Sequence, residues 1–265
     1  MKPLSYIGIT GFKEDYEVHE AAALFMHSGF LGPDCGFTAQ HHQPMFGFLC
    51  SAKRLADPTT QGTHSQRAQD LGCLTRYCPR GSLPAIHYFT NNRQNLGDEV
   101  SQVFDIDNMY ERNFCRALQI NMAWPQLEQL TTLRQRFPDL TIIMQLPQET
   151  LTQIHRVAEY QEHVEYCLID PSGGKGMRIT QEHLDLAQRI QELLPRSRIG
   201  IAGGLDGYAV QDAMSAVYQN LHDSFCIDAQ GKLRADDRGQ MDMEKVRHYI
   251  AAAAYGIRLG EKFFL

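Results

Sequence analysis

Eight short apolar runs recur along the whole chain, and this repeat constrains the fold more than any other feature. In order, the runs are YIGIT, MFGFLC, PAIHYF, ALQINM, TIIMQL, YCLID, RIGIAGGL and FCIDA. None alternates regularly between apolar and polar residues, so each is predicted to be a strand that is buried on both faces, as in a parallel sheet.

Stretches with helical periodicity lie between these runs, the clearest being QLEQLTTLRQRF, ETLTQIHRVAEYQ, ITQEHLDLAQRIQELL, AVQDAMSAVYQNL and MDMEKVRHYIAAAAYG. Eight strands, each followed by a helix or a segment able to hold one, are typical of a (β/α)8 barrel, a TIM barrel of about 250 residues. The alternative is a doubly wound open sheet, which usually carries its glycine-rich turn at the first strand. Here the glycines cluster after strands six to eight, so we predict an α/β barrel for this 265-residue chain.

Two segments exceed what a minimal barrel needs. Residues 30–45 hold turn residues without a clear period, and residues 55–83 are polar and rich in Thr and Gln. Neither has enough apolar residues to form its own core. We therefore interpret both as insertions on a single barrel domain that spans residues 1–265.

Charge and hydropathy exclude several classes of partner. The formal charge is −6, and the Lys and Arg residues are scattered singly, so nucleic acid is not expected as a partner. No apolar run approaches the roughly 18 residues of a membrane span. The N-terminal MKPLSYIGIT is too short and strand-like for a signal peptide, which leads us to expect a cytoplasmic protein.

The seven cysteines predict reduced, mostly buried thiols and no metal or cofactor. Cys73 and Cys78 form the only close pair, without the second pair that a zinc ribbon requires. The alternative is a metal site that combines Cys35 with His41 and His42, whose spacing matches no familiar site.

Glycine-rich turns follow the last three strands. Gly173, Gly174 and Gly176 flank Lys175 after strand six, Gly203 and Gly204 follow strand seven, and Gly231 precedes Lys232 after strand eight. Glycines expose backbone amides without side-chain obstruction, and a helix from about Ile179 would point its positive end at the same place. Phosphate sites of barrels lie in the loops after strands seven and eight, so these turns predict a phosphate cradle. The alternative is that the glycines serve turn geometry alone.

Motifs along nearly the whole chain resemble the phosphoribosylanthranilate isomerase family. The family's K-I-C-G-I-T is matched by SYIGIT, its G-F-V-F followed by S-P-R by GFLCSAKR, and its V-Q-L-H-G by LQINM. Its L-L-D followed by G-G-T-G is matched by LIDPSGGKG, its A-G-G-L by AGGL, and its V-D-x-x-S-G by CIDAQGK. The resemblance implies a barrel enzyme that performs an Amadori rearrangement of an aminated ribose phosphate.

Carried over by position, the resemblance implies phosphate binding at Gly173, Gly174, Gly176, Gly203, Gly204 and Gly231. Lys175 replaces the family's threonine and is added to this phosphate site because its positive charge lies beside the expected anion. The resemblance also implies a general acid at Asp170, an arginine beside the aromatic part of the substrate at Arg54, and the aspartate after strand eight at Asp228. Thr10 and Asn121 are further candidates for substrate contacts. Two positions depart from the family in ways that matter for the chemistry: Ile7 stands at the position of the family's catalytic cysteine, and Asn121 at that of a histidine. Because isoleucine cannot accept a proton, the family's two-residue mechanism is not expected to operate unchanged.

Candidate acid and base residues each have a second interpretation. Asp170 at the end of strand six is catalytic or caps the glycine turn. His87 within strand three is a replacement base or a core histidine. Glu14 and Asp15 contribute to the barrel mouth or cap the first helix.

Three functions follow: a sugar-phosphate isomerase, a protein that binds a phosphorylated metabolite without turnover, or an aldolase- or synthase-type lyase. The expected partner is a phosphorylated small molecule, and a homodimer is allowed for. An inward lysine on a strand would favour the lyase.

Overall fold

Eight parallel strands close into a barrel, which confirms the predicted fold class. The computed structural model describes residues 2–32, 42–57, 67–170, 179–221, 224–235 and 239–264. The strands are β1 (Ser5–Thr10), β2 (His42–Ser51), β3 (Leu83–Phe89), β4 (Ala117–Asn121), β5 (Thr141–Pro147), β6 (Tyr166–Asp170), β7 (Arg198–Ala202) and β8 (Cys226–Ala229). Parallel pairing of β1 with β8 closes the ring, with Ile7 opposite Ile227.

Helices surround the barrel on its outer face. The α-helices are α1 (Asp15–His27), α2 (Ala52–Ala56), α3 (Ala68–Thr75), α4 (Leu96–Asp105), α5 (Leu127–Arg136), α6 (Gln181–Leu193), α7 (Ala209–Leu221) and α8 (Met243–Phe264). Short 3-10 helices span Ile106–Asn108 and Gly231–Leu233, and a longer one spans Gln148–Tyr160. No helix among the described residues is long and apolar enough to cross a membrane.

Two apolar clusters account for the continuous apolar runs. The larger cluster joins strand residues such as Ile7 and Ile86 to helix residues such as Val18 and Ile250, so it lies between the strands and the helices. The smaller cluster includes Tyr6, Ala85 and Cys226, with members from all eight strands, and fills the barrel interior. Both faces of each strand are buried, as the sequence predicted.

The stretch after β5 has helical periodicity but forms a 3-10 helix over Gln148–Tyr160, with a break at Gln153. Its β-branched residues, Thr150, Thr152, Ile154 and Val157, disfavour a regular α-helix. In addition, Thr150 turns back to donate to the carbonyl of Pro147 at 2.6 Å.

The helix after the glycine turn begins at Gln181, later than predicted. Thr180 caps it, and the backbone amide of Thr180 donates to Nδ1 of His183 at 3.0 Å. This capping box fixes where the helix starts.

The two segments interpreted as insertions contain regular structure at their edges. Strand β2 begins at His42, inside the first segment, and α3 and the end of α2 occupy part of the second. Cys35 and His41 lie outside the described residues, whereas His42 is buried in β2. No cluster of three or more potential metal ligands occurs within the described ranges.

Candidate functional site

A polar layer lies above the apolar cluster inside the barrel. Alternate strand residues share a face, so positions two residues beyond the interior apolar residues also point inward. Those positions are Gly8, Gly47, His87, Gln119, Gln145, Asp170, Ala202 and Asp228. The last six line one small cavity of about 40 Å³ at the carboxyl ends of the strands, together with the turns after β7 and β8. This is the end of the barrel at which TIM-barrel active sites lie.

Hydrogen bonds connect four of these side chains around the barrel wall. Nε2 of Gln145 donates to Oδ2 of Asp170 at 2.8 Å, and Nε2 of Gln119 donates to Oε1 of Gln145 at 3.2 Å. Nε2 of Gln119 also lies 3.5 Å from Nδ1 of His87. An amide nitrogen can only donate, so Oδ2 of Asp170 is held as an acceptor and Nδ1 of His87 faces a donor.

Asp228 lies in the same layer and has an additional hydroxyl partner from β1. Oγ1 of Thr10 lies 2.9 Å from Oδ1 and 3.1 Å from Oδ2 of this carboxyl group. Burial raises the pKa of Asp228 from 3.8 to about 7, a shift that the negative charge of Asp170 reinforces and the hydrogen bonds from Thr10 and Gln119 oppose. A hydroxyl can donate or accept, so Thr10 can accommodate either protonation state of Asp228.

His87 is buried and neutral near pH 7. Burial lowers its pKa from 6.5 to about 4, while the side chain of Gln145 acts in the opposite direction. Within the described part of the chain, Nε2 of His87 and Oε1 of Gln119 have no hydrogen-bond partner.

The turns after β7 and β8 form the other wall of the cavity. Gly203 and Gly204 have φ values of 107° and 63°, a backbone conformation that side chains disfavour. Gly231 begins the 3-10 helix that follows β8, and exposed Lys232 adjoins it. Gly203, Gly204 and Lys232 also line a neighbouring cavity of about 660 Å³ beside the start of α6.

The structure brings together most of the predicted site residues that it describes. Asp170, His87, Gly203, Gly204, Gly231 and Asp228 line the cavity, and Thr10 contacts Asp228. Gly173, Gly174, Lys175 and Gly176 lie outside the described residues, and so does the turn that Asp170 was considered to cap. Asn121 at the end of β4 and Arg54 in α2 are half-buried and do not line the cavity.

Ile7 does not face the cavity. Its fully buried side chain belongs to the outer cluster between strands and helices, whereas Tyr6, Gly8 and Thr10 are the inward positions of β1. A Cβ at Gly8 would lie 2.9 Å from Oδ1 of Asp228. Ile7 therefore lies outside the cavity, and glycine and threonine occupy the inward positions of β1. The absence of the family's base stays a prediction.

Gln119, Gln145 and Lys232 are site residues that the sequence interpretation did not select. A signal for the two glutamines was present, because each is a polar residue inside an apolar run. Pairing in register places Gln119 directly opposite His87, so both share the inward face. Lys232 directly follows Gly231, which the sequence interpretation did select.

No protein-family model matches the chain, and no curated protein matches it. Solved structures do share its fold. TrpF from Jonesia denitrificans superimposes with a TM-score of 0.64 at 15% identity, covering 97% of this chain and 99% of that one. Phosphoribosyl anthranilate isomerase from Thermotoga maritima gives a TM-score of 0.61 at 14% identity, covering 95% and 98%.

Another phosphoribosyl anthranilate isomerase structure was solved in complex with reduced 1-(o-carboxyphenylamino)-1-deoxyribulose 5-phosphate. It has a TM-score of 0.60 at 14% identity, covering 95% of this chain and 98% of that one. At identities this low, the superpositions show that the fold is shared and nothing more.

Proposed function

We propose that this protein is a sugar-phosphate isomerase that transfers protons with Asp170 and Asp228. The observation that carries the proposal is that these buried carboxyl groups, from β6 and β8, line one cavity on either side of the glycine turn after β7. Two coupled carboxyl groups with different hydrogen-bond partners suit acid–base chemistry at one carbon–oxygen unit.

The phosphate group is assigned to the turns after β7 and β8. Gly203, Gly204 and Gly231 leave backbone amides accessible, and Lys232 supplies a positive charge at the same cavity wall. Gly173, Gly174, Lys175 and Gly176 would complete this cradle, as the sequence predicts. The similar isomerase that was solved with a deoxyribulose 5-phosphate derivative supports a phosphorylated ligand.

The two carboxyl groups are assigned opposite roles. Asp170 receives a hydrogen bond from the donor-only amide of Gln145, so Oδ2 is held as an acceptor, which suits a proton acceptor. Asp228 has a raised pKa and a hydroxyl partner, which suits a proton donor. This differs from the resemblance, which implies the acid role for Asp170.

In the proposed step, Asp170 takes a proton from the carbon beside the substrate carbonyl while Asp228 gives its proton to the carbonyl oxygen. The product is an enediol. Asp170 then returns its proton to the former carbonyl carbon, and Asp228 recovers one from the neighbouring hydroxyl. Protons and electrons balance without a cofactor, and no cysteine on β1 is needed.

The substrate of the phosphoribosylanthranilate isomerase family is not the one we assign. The inward positions of β1 near the mouth are Gly8 and Thr10, and Arg54 does not line the cavity. We expect negligible turnover of phosphoribosylanthranilate.

The lyase is the less favoured alternative, because no described strand contains a lysine that could form a Schiff base inside the barrel. The assay below distinguishes the isomerase from a protein that binds a phosphorylated metabolite without turnover. The homodimer stays a prediction.

Asp170→Asn tests the proposal. The variant should bind inorganic phosphate as wild type does but lose isomerisation by a factor of about 10² or more, because the amide cannot accept the proton. Asp139→Asn, at a side chain with 76% exposure, is the matched control. Full isomerase activity of Asp170→Asn, or no activity of wild type on triose, pentose and hexose phosphates, would refute the proposal.

A further inference from the structure

Two polar atoms of residues that line the cavity have no role in the proposed proton transfer. Nε2 of His87 and Oε1 of Gln119 are buried and lack a partner among the described residues. The two residues are opposite each other in the register of β3 and β4, and both line the cavity. Buried polar groups of folded proteins are nearly always hydrogen-bonded, so we expect these two atoms to pair with a group that binds in the cavity.

The hydrogen bonds of the layer define what each atom offers. The amide nitrogen of Gln119 lies 3.5 Å from Nδ1 of His87, and we assign the proton of the neutral ring to Nε2 because only that tautomer makes this contact a hydrogen bond. Nε2 of His87 is then a donor, and Oε1 of Gln119 is an acceptor. A group that satisfies both must accept one hydrogen bond and donate another.

We propose that His87 and Gln119 bind a hydroxyl group of the substrate's carbon chain, so that the non-phosphate half of the substrate is an open polyhydroxylated chain. The inference rests on the proposed function in taking this cavity as the substrate site and the turns after β7 and β8 as the phosphate site. A hydroxyl both accepts and donates, which matches the pair. A carbonyl or carboxylate oxygen would leave Gln119 unsatisfied, and an ammonium group could not accept from His87.

The position of the pair supports a linear substrate. In a closed eight-stranded barrel, β3 and β4 lie across the mouth from β7 and β8, whose turns are assigned to phosphate. A chain with phosphate at one end and a hydroxyl at the other would cross the cavity between Asp170 and Asp228.

The test compares two phosphate monoesters of equal chain length, ribitol 5-phosphate and n-pentyl phosphate, by calorimetry. Neither can isomerise, so binding is measured apart from turnover. Wild type should bind ribitol 5-phosphate more tightly. Gln119→Leu should weaken ribitol 5-phosphate binding about 10-fold or more, because it removes the acceptor, and should leave n-pentyl phosphate unchanged.

Gln43→Leu is the matched control, since Gln43 lies at the opposite end of the barrel and donates to the hydroxyl of Tyr166. This variant should bind both ligands as wild type does. Equal affinity of wild type for the two ligands, or an unchanged ratio in Gln119→Leu, would overturn the inference and would indicate that the pair binds only water.

Nitrogen-15 NMR of the His87 ring keeps the inference testable if Gln119→Leu fails to fold. The spectrum of wild type should show the Nε2–H tautomer and a shift of Nε2 when ribitol 5-phosphate binds, but not when n-pentyl phosphate binds. An Nδ1–H tautomer, or equal shifts with both ligands, would overturn it. A selective response in a protein that turns over no sugar phosphate would refute the proposed function alone.

Discussion

Replacing Asp228 by asparagine should change how the stability of the protein depends on pH. Burial raises the pKa of Asp228 from 3.8 to about 7. The folded protein therefore holds this proton more tightly than the unfolded chain. The resulting stabilisation is fully present below the unfolded pKa and is lost as pH rises through about 7.

The magnitude follows from these two pKa values. Between pH 5 and pH 8, a group with a pKa of about 4 in the unfolded chain and about 7 in the fold contributes about 3 kcal/mol less to the free energy of unfolding. Asparagine resembles the protonated carboxyl group and does not titrate. The stability of Asp228→Asn relative to wild type should therefore rise by about 3 kcal/mol across this range.

Urea unfolding of both proteins at pH 5 and pH 8 measures the difference, and melting temperatures should diverge by about 6–12 °C. Asp139→Asn, whose side chain is 76% exposed, serves as the control and should show no comparable divergence. A difference between wild type and Asp228→Asn that stays constant with pH would show that Asp228 is not desolvated, and the assignment of a proton donor would fail.

Three further predictions concern residues at or near the mouth. Ile7→Cys should give no phosphoribosylanthranilate isomerase turnover, because the thiol would lie between strands and helices; turnover approaching that of a genuine isomerase would contradict the assigned face. Gly204→Asp should abolish phosphate binding in calorimetry, because a carboxylate at φ 63° brings strain, bulk and like charge; unchanged affinity would refute the phosphate site. Glu17→Ala should lower the free energy of unfolding by about 3 kcal/mol, because buried Glu17 accepts hydrogen bonds from the backbone amides of Lys13, Glu14 and Met241. Glu20→Ala, on the exposed face of the same helix, is its control, and equal losses in the two variants would contradict this role.

Much of the barrel was predictable because strands buried on both faces leave continuous apolar runs. All eight runs became strands, in the predicted order around the barrel. The same continuity concealed which residues of each strand face the barrel interior. In SYIGIT, apolar residues occupy both faces, so nothing in the run distinguishes outward Ile7 from inward Gly8.

Polar residues inside the runs indicate which face of a strand points into the barrel, whereas the apolar residues do not. Gln119 and Gln145 are inward, in the same layer as His87 and Asp170. Their contacts with one another depend on strand register, which is set by barrel closure and cannot be read from one run. The sequence did not reveal that Gln148–Tyr160 forms a 3-10 helix. The apolar period of a segment shows which side is buried, but it does not show which hydrogen-bonding pattern the backbone adopts.

Solvent deuterium exchange tests the central claim most directly. Wild-type protein is incubated in D2O with triose, pentose and hexose phosphates in turn, and proton NMR follows the carbon-bound hydrogens beside the carbonyl group. We predict isomerisation of at least one of these sugar phosphates, with deuterium entering at that carbon. Asp170→Asn should lose both the isomerisation and the deuterium incorporation. Absence of exchange and of isomerisation with every sugar phosphate, in a protein that binds phosphate, would contradict the account and would identify a binding protein without turnover.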